Sequence, residues 1–211
     1  MWRDASEPAA AYPRTFDFDA FPECRHGVRY SLYTRRTLIT RLLDNDEALS
    51  LPYERVVGLL GETAERVSDF AARRGCVRLL KWTRENNLAW SEVMCSNAAE
   101  YGHLPALKYL HENGCPWNSN TCINAAIGGH LPVLQYLHEN GCPWYSDTCL
   151  YAAQQGQLPA LKYLHENGCP WDEDTCYWAA DREHWDCLQY AVDNKCPRWR
   201  RYAQEHAKHL R

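Results

Sequence analysis

A fifteen-residue string that returns almost unchanged constrains the fold more than any other feature of this chain. His103-Leu104-Pro105 through Gly114-Cys115-Pro116-Trp117 comes back at 130–144 with two differences and at 157–171 with one. The period is 27 residues. Weaker copies flank these, Gly75 to Trp90 on one side and His184 to Pro197 on the other. The chain therefore reads as five units, at 64–90, 91–117, 118–144, 145–171 and 172–198. A fixed period of this length marks an array of one supersecondary brick rather than a single globule.

Each brick reads as two short helices. In Asp147-Thr148-Cys149-Leu150-Tyr151-Ala152-Ala153 the carboxylate of Asp147 can accept from the first free backbone N–H groups. Gly156 supplies the left-handed residue that ends this helix. The second helix opens at Leu158-Pro159, where a proline's missing N–H does no harm. Leu158, Leu161 and Leu164 then mark one apolar face. Asn167-Gly168-Cys169-Pro170 stops it, with glycine just past the end and proline beyond.

Such a hairpin cannot bury its apolar face alone, so neighbouring units must shelter one another. The recurring small pairs Ala71-Ala72, Ala98-Ala99, Ala125-Ala126, Ala152-Ala153 and Ala179-Ala180 mark where the first helices lie close together.

At this level the units resemble ankyrin repeats. Ala125-Ala126-Ile127-Gly128-Gly129-His130-Leu131 matches the family's A-A-x-x-G-H-L, and Leu137-His138-Glu139-Asn140-Gly141 resembles its second helix and N-G ending. Asp147-Thr148-Cys149 stands where the family has T-P-L, so Cys149 takes a buried leucine's place. Ankyrin units usually run to about 33 residues. The residues missing here fall between Trp117 and Asn120 and at the equivalent points, where ankyrins build a β-turn finger. The resemblance covers roughly 64–198. It implies an all-α, ankyrin-like helical-hairpin solenoid without long fingers. A tetratricopeptide array is the alternative, disfavoured by the period and by the A-A-x-x-G-H-L string. Short arrays punctuated by Cys-Pro-Trp are similar to those of families from large DNA viruses and some protists, which would set the protein inside a host cell.

The ends of an array must face water and should depart from consensus. Asn87 and Lys195 replace the glycine of other units, and Arg198 replaces the tryptophan. Residues 199–211, with Arg200, Arg201, Lys208 and Arg211 against Glu205, read as a basic capping helix. Residues 1–63 align with no unit. Within them 8–22 look irregular, while 37–43 and 53–60 look helical and suited to cap the open amino end. Leu51-Pro52-Tyr53-Glu54-Arg55-Val56 faintly resembles the opening of an F-box, which would make the chain a ubiquitin-ligase substrate adaptor.

Composition narrows the function classes. A formal charge of -4 gives no reason to expect nucleic acid, although the basic tail keeps a phosphate contact open. No run approaches the ~18 apolar residues of a membrane helix, and Ala9-Ala10-Ala11 is too short for a secretory leader. Eleven cysteines, an odd number without a leader, read as reduced thiols in cytosol or nucleus.

Several columns of the repeat mimic sites. Cysteines recur at 95, 122, 149 and 176 and at 115, 142, 169 and 196. Zinc needs four ligands within ~2.3 Å of one ion. Equivalent residues in stacked units sit ~10 Å apart, so buried core thiols are the better reading and no metal or cofactor is expected. Histidines recur at 103, 130 and 184 and at 111, 138 and 165. Gln157 interrupts the first column, which suits loop hydrogen bonding rather than catalysis; the second suits exposed helix ends. The aromatic columns Trp90, Trp117, Trp144, Trp171 and Trp82, Tyr109, Tyr136, Tyr163, Tyr190 suit a packing ladder better than a peptide grip.

Function should reside where units differ on a common scaffold. Those positions are Asn97, Glu100 and Tyr101; Asn124, Ile127 and Gly128; Tyr151, Gln154 and Gln155; and Trp178, Asp181 and Arg182. In ankyrins the equivalent positions line the concave face. Tyr151 and Trp178 are candidate anchors, with core filling the alternative. There is no phosphate loop, nucleophile elbow or paired-carboxylate motif. Cys24 and His26, without an orienting third group, make a weak nucleophile and base. The expectation is a monomeric, non-catalytic scaffold that binds a protein, with no small-molecule substrate and no membrane.

Overall fold

The chain divides between Gly61 and Glu62 into two units, and the computed structural model describes residues 64–210. The expectations for residues 1–63, including the F-box resemblance and the Cys24–His26 pair, lie outside the described residues. Among those described the architecture is all-helical.

Helices come in pairs that recur with the sequence period. The first helices are α1 (Ala64–Arg73), α3 (Glu92–Glu100), α5 (Ser119–Gly128), α7 (Ser146–Gln154) and α9 (Glu173–Asp181). The second helices are α2 (Val77–Glu85), α4 (Leu104–Glu112), α6 (Leu131–Glu139), α8 (Leu158–Glu166) and α10 (Trp185–Asp193), and α11 (Trp199–Glu205) follows. Only residues 86–91, 113–118, 140–145 and 167–172 link one hairpin to the next, and no strand forms there. That is the missing finger.

Each terminus has its local cause. The first helices α5, α7 and α9 are capped two residues earlier than Asp147 and its equivalents suggest. Asn118 accepts from the Asn120 N–H at 2.9 Å and Asp172 from that of Asp174 at 3.1 Å. In the fourth unit the cap is Tyr145, its N–H donating to Thr148 Oγ1 at 3.4 Å, while Asp147 sits inside the first turn. There its charge still favours the helix N-terminus. The second helices α4, α6 and α8 begin with proline in the first turn. They end when the Asn113, Asn140 and Asn167 amides each donate to their own helix at 2.8 Å. Gly114, Gly141 and Gly168 follow in the left-handed region, and the Cys115 N–H reaches back to the Leu110 carbonyl at 2.9 Å, closing a Schellman turn. Asn87 and Lys195 take the same left-handed conformation without being glycine, as does Arg198 before α11.

Packing follows from side-chain size. The first helices lie close, shoulder to shoulder, and the second helices stand further from one another. The small pairs permit this, since Ala98, Ala99, Ala125, Ala126, Ala152 and Ala153 are all sealed from solvent. From the second helices Leu107 and Leu110, Leu134 and Leu137, and Leu161 and Leu164 fill the space between, fully buried. Leu158, placed on the apolar face by the sequence, is only half-buried; Ala160 takes its share of the core instead. Ala126→Leu would force a branched chain between α5 and its neighbours and should cost ~1–3 kcal/mol by overpacking. A melting curve identical to wild type would contradict this packing.

At the carboxyl end α11 lies against α9 and α10 and buries Tyr202. Arg198 pairs with Glu173 at 2.6 Å. The helix stops at Glu205 rather than running through 211, because the chain then turns so that His209 stacks flat on Trp185, ring centres 4.0 Å apart. Trp185 stands where Leu104, Leu131 and Leu158 stand in earlier units. The larger ring gives the tail something to close on.

Candidate functional site

The columns that mimic sites are bound into the stack. His103 Nε2 is 3.0 Å from the Arg73 carbonyl and His130 Nε2 2.9 Å from that of Glu100, each bridging to the unit before. Gln157 does the same, its amide donating to the Ile127 carbonyl at 3.2 Å. Side chains so different in basicity share the role because the role is to supply one N–H. His130→Gln should therefore keep the melting temperature near wild type, and His130→Ala should cost ~1–2 kcal/mol through the unpaired carbonyl. Equal losses from both would show that ring packing, not the donor, matters.

The second histidine column is not a set of free helix ends. His111, His138 and His165 stack on Trp117, Trp144 and Trp171 with centres 3.6, 4.1 and 3.8 Å apart. The tryptophans in turn meet Tyr136, Tyr163 and Tyr190 of the next unit edge-on at 6.2, 6.4 and 6.1 Å. Half-buried and repeated identically, these rings join units rather than offer a free aromatic row.

The thiols pair within units. Cys115, Cys142, Cys169 and Cys196 donate to the carbonyls of Ser91, Asn118, Tyr145 and Asp172 at 3.3, 3.3, 3.4 and 3.1 Å, tying the outer loop to the start of the first helix. Cys95, Cys122 and Cys149 are pushed up in pKa by hydrogen bonds with Cys115, Cys142 and Cys169, and then by burial. Cys187, alone on α10, is pushed up to about 12, by burial first and Asp186 second. A thiol harder to ionise when folded stabilises the fold fully below the unfolded-state pKa of ~8.5. That contribution is lost as pH rises toward the folded value. Melting temperature should hold to pH ~8 and fall steadily above ~8.5; a flat profile to pH ~11 would contradict it. Among the described residues no group of three or more His, Cys, Asp or Glu is gathered where one metal ion could sit.

The residues that vary between units lie on the first helices and the turns after them. Tyr101 is 49% exposed and overlaps His103 at 6.4 Å. Glu100, Asn124, Ile127, Gly128, Tyr151, Gln154 and Trp178 are half-buried, and Gln155, Asp181 and Arg182 are exposed. Arg182 pairs with Asp181 at 3.5 Å and lies 5.7 Å over the Trp178 ring. Asn97 differs from the rest: it is 5% exposed, and its Nδ2 finds no acceptor. A buried unpaired amide costs ~1–3 kcal/mol.

The structure adds a column that the sequence reading passed over. Ser96, Ile123, Leu150 and Tyr177 are equivalent positions, buried in the second unit, half-buried in the next two and 45% exposed at Tyr177. Tyr177 meets Trp178 edge-on at 5.3 Å. Val93 and Tyr145, 46% and 60% exposed, extend the same side toward the helix starts. The signal was present, since this column varies between units as much as the chosen ones do.

Comparison with known proteins agrees with this geometry. Residues 95–138 match the family model described as ankyrin repeats (many copies). The ankyrin repeat domain of human ASB11, a crystal structure, superposes with a TM-score of 0.53 at 18% identity, over 61% of this chain and 69% of that one. At that identity the likeness speaks to the fold alone. No curated protein matches the chain in sequence. Taken together, these matches and the recurring hairpins show an ankyrin-like helical-hairpin solenoid fold. No helix among the described residues is long and apolar enough to cross a membrane.

Proposed function

We propose that this protein is a non-catalytic scaffold that holds a protein partner on the concave face lined by the outward sides of α3, α5, α7 and α9. One observation carries the reading. Side chains that differ from unit to unit gather on that side, while the histidine, thiol and aromatic ladders repeat almost unchanged within the stack. Variation on a fixed frame is what a recognition surface needs, and large apolar side chains at its centre give it binding energy.

Site-directed photo-crosslinking tests it. A benzophenone amino acid in place of Gln155, exposed at the end of α7, should yield partner adducts in cell extract. The same group in place of Glu139, exposed on α6, should not. Adducts from the Glu139 site alone would move the partner to the second helices and overturn the reading.

A further inference from the structure

We infer that the first-helix face of units two to five takes a basic segment of its partner, one that sets apolar side chains along the centre and Lys or Arg at the margins. This rests on the protein-binding reading above and adds the chemistry of what binds. The centre is an apolar stripe of Ile123, Leu150, Tyr151, Tyr177 and Trp178, each at least partly open to solvent. The margins are carboxylates. Glu92 and Glu100 on α3, Asp147 on α7 and Asp174 on α9 have no ion-pair partner among the described residues, and α5 carries no charge at all. Arg182 and Arg198 already answer Asp181 and Glu173. Arg73 and Arg74 at the end of α1 bound the acidic stretch.

On the second-helix side of the same units lysines stand among the carboxylates, Lys108 and Lys162 with Glu112, Glu139, Glu166, Asp186 and Asp193, and the exposed large apolar side chains Val93, Tyr101, Tyr145 and Tyr177 all lie on the first helices or at their ends. A partner that covers the stripe removes water from around the marginal carboxylates. An acidic or neutral segment leaves them unpaired in lower dielectric, whereas a cationic one compensates them and is steered in from solution.

The full-length chain, immobilised at low salt, would be panned with a random-peptide phage library. Enriched sequences should combine net positive charge with aromatic or aliphatic residues. A synthetic representative should lose about tenfold or more in affinity to Asp147→Lys or Asp174→Lys, and little to the control Glu139→Lys on α6. Melting curves should show all three variants fully folded at the binding temperature, with Asp147→Lys and Asp174→Lys lowered by no more than a few degrees for the charge reversed at a helix start, and rising salt should weaken binding. Enriched peptides that are acidic or neutral, yet lose binding in Trp178→Ala, overturn the basic-partner inference and leave the scaffold reading standing. Peptides indifferent to Trp178→Ala overturn both. A library that yields no enrichment overturns the inference.

Discussion

Leu134→Ala is expected to destabilise the array by about 2–5 kcal/mol, lowering the melting temperature by roughly 4–20 °C. Leu134 sits in α6 of the central unit, with no surface open to solvent. Truncation removes the transfer energy of its branched end and leaves a cavity. Ala125, Ala126, Ala152 and Ala153 of the first helices are fully buried and too small to fill it. The spread in the estimate is the extent to which the hairpins can close up. In a stack stabilised by contacts between neighbours, one central defect weakens interfaces with a full hairpin on each side, so the loss should exceed that of a comparable truncation in unit five, whose outer side is covered by the single short helix α11. Thermal melts of Leu134→Ala and Leu188→Ala, compared side by side, measure this. Equal losses would mean that units contribute independently.

Trp178→Ala is expected to behave in the opposite way, costing affinity rather than fold. The ring is half-buried, and the contacts that define its place are Tyr177 on the same helix and Arg182 above it. Neither belongs to the ladders that join units. An aromatic anchor at an interface contributes about 2 kcal/mol or more, or roughly a thirtyfold weaker Kd on truncation. The melting temperature should shift by no more than a degree or two, roughly the effect of ~0.5 kcal/mol. Calorimetry of partner binding beside a thermal melt separates the two roles. A fall of several degrees with unchanged Kd would assign Trp178 to the core and remove the strongest anchor from the proposed face.

Much of the architecture was legible because each unit repeats its own punctuation. Pro159 and its equivalents, the Asn-Gly endings and the paired alanines are local signals, and their physical effects are local too. The helix starts were less legible. Asp147 is a good capping residue by type, yet the cap falls on Tyr145, because Thr148 can bond back to that position from inside the first turn. Histidines illustrate the same limit. One column bridges backbone carbonyls across 30 residues of sequence, and the other stacks on tryptophan; residue type alone gives no way to tell them apart. Asn97 was read as surface from its variability and is buried, since the column it occupies is covered in the second unit and open in the later ones.

The sequence by itself determined the unit, its two helices and the need for neighbours, because periodicity and turn chemistry act within a few residues of where they are written. Only the tertiary structure decided which side of those helices is left uncovered, and how the loop thiols and ring stacks lock one hairpin to the next. Those outcomes depend on contacts between residues some 24 to 30 apart, where the geometry of stacking, not the order of the chain, chooses the partner.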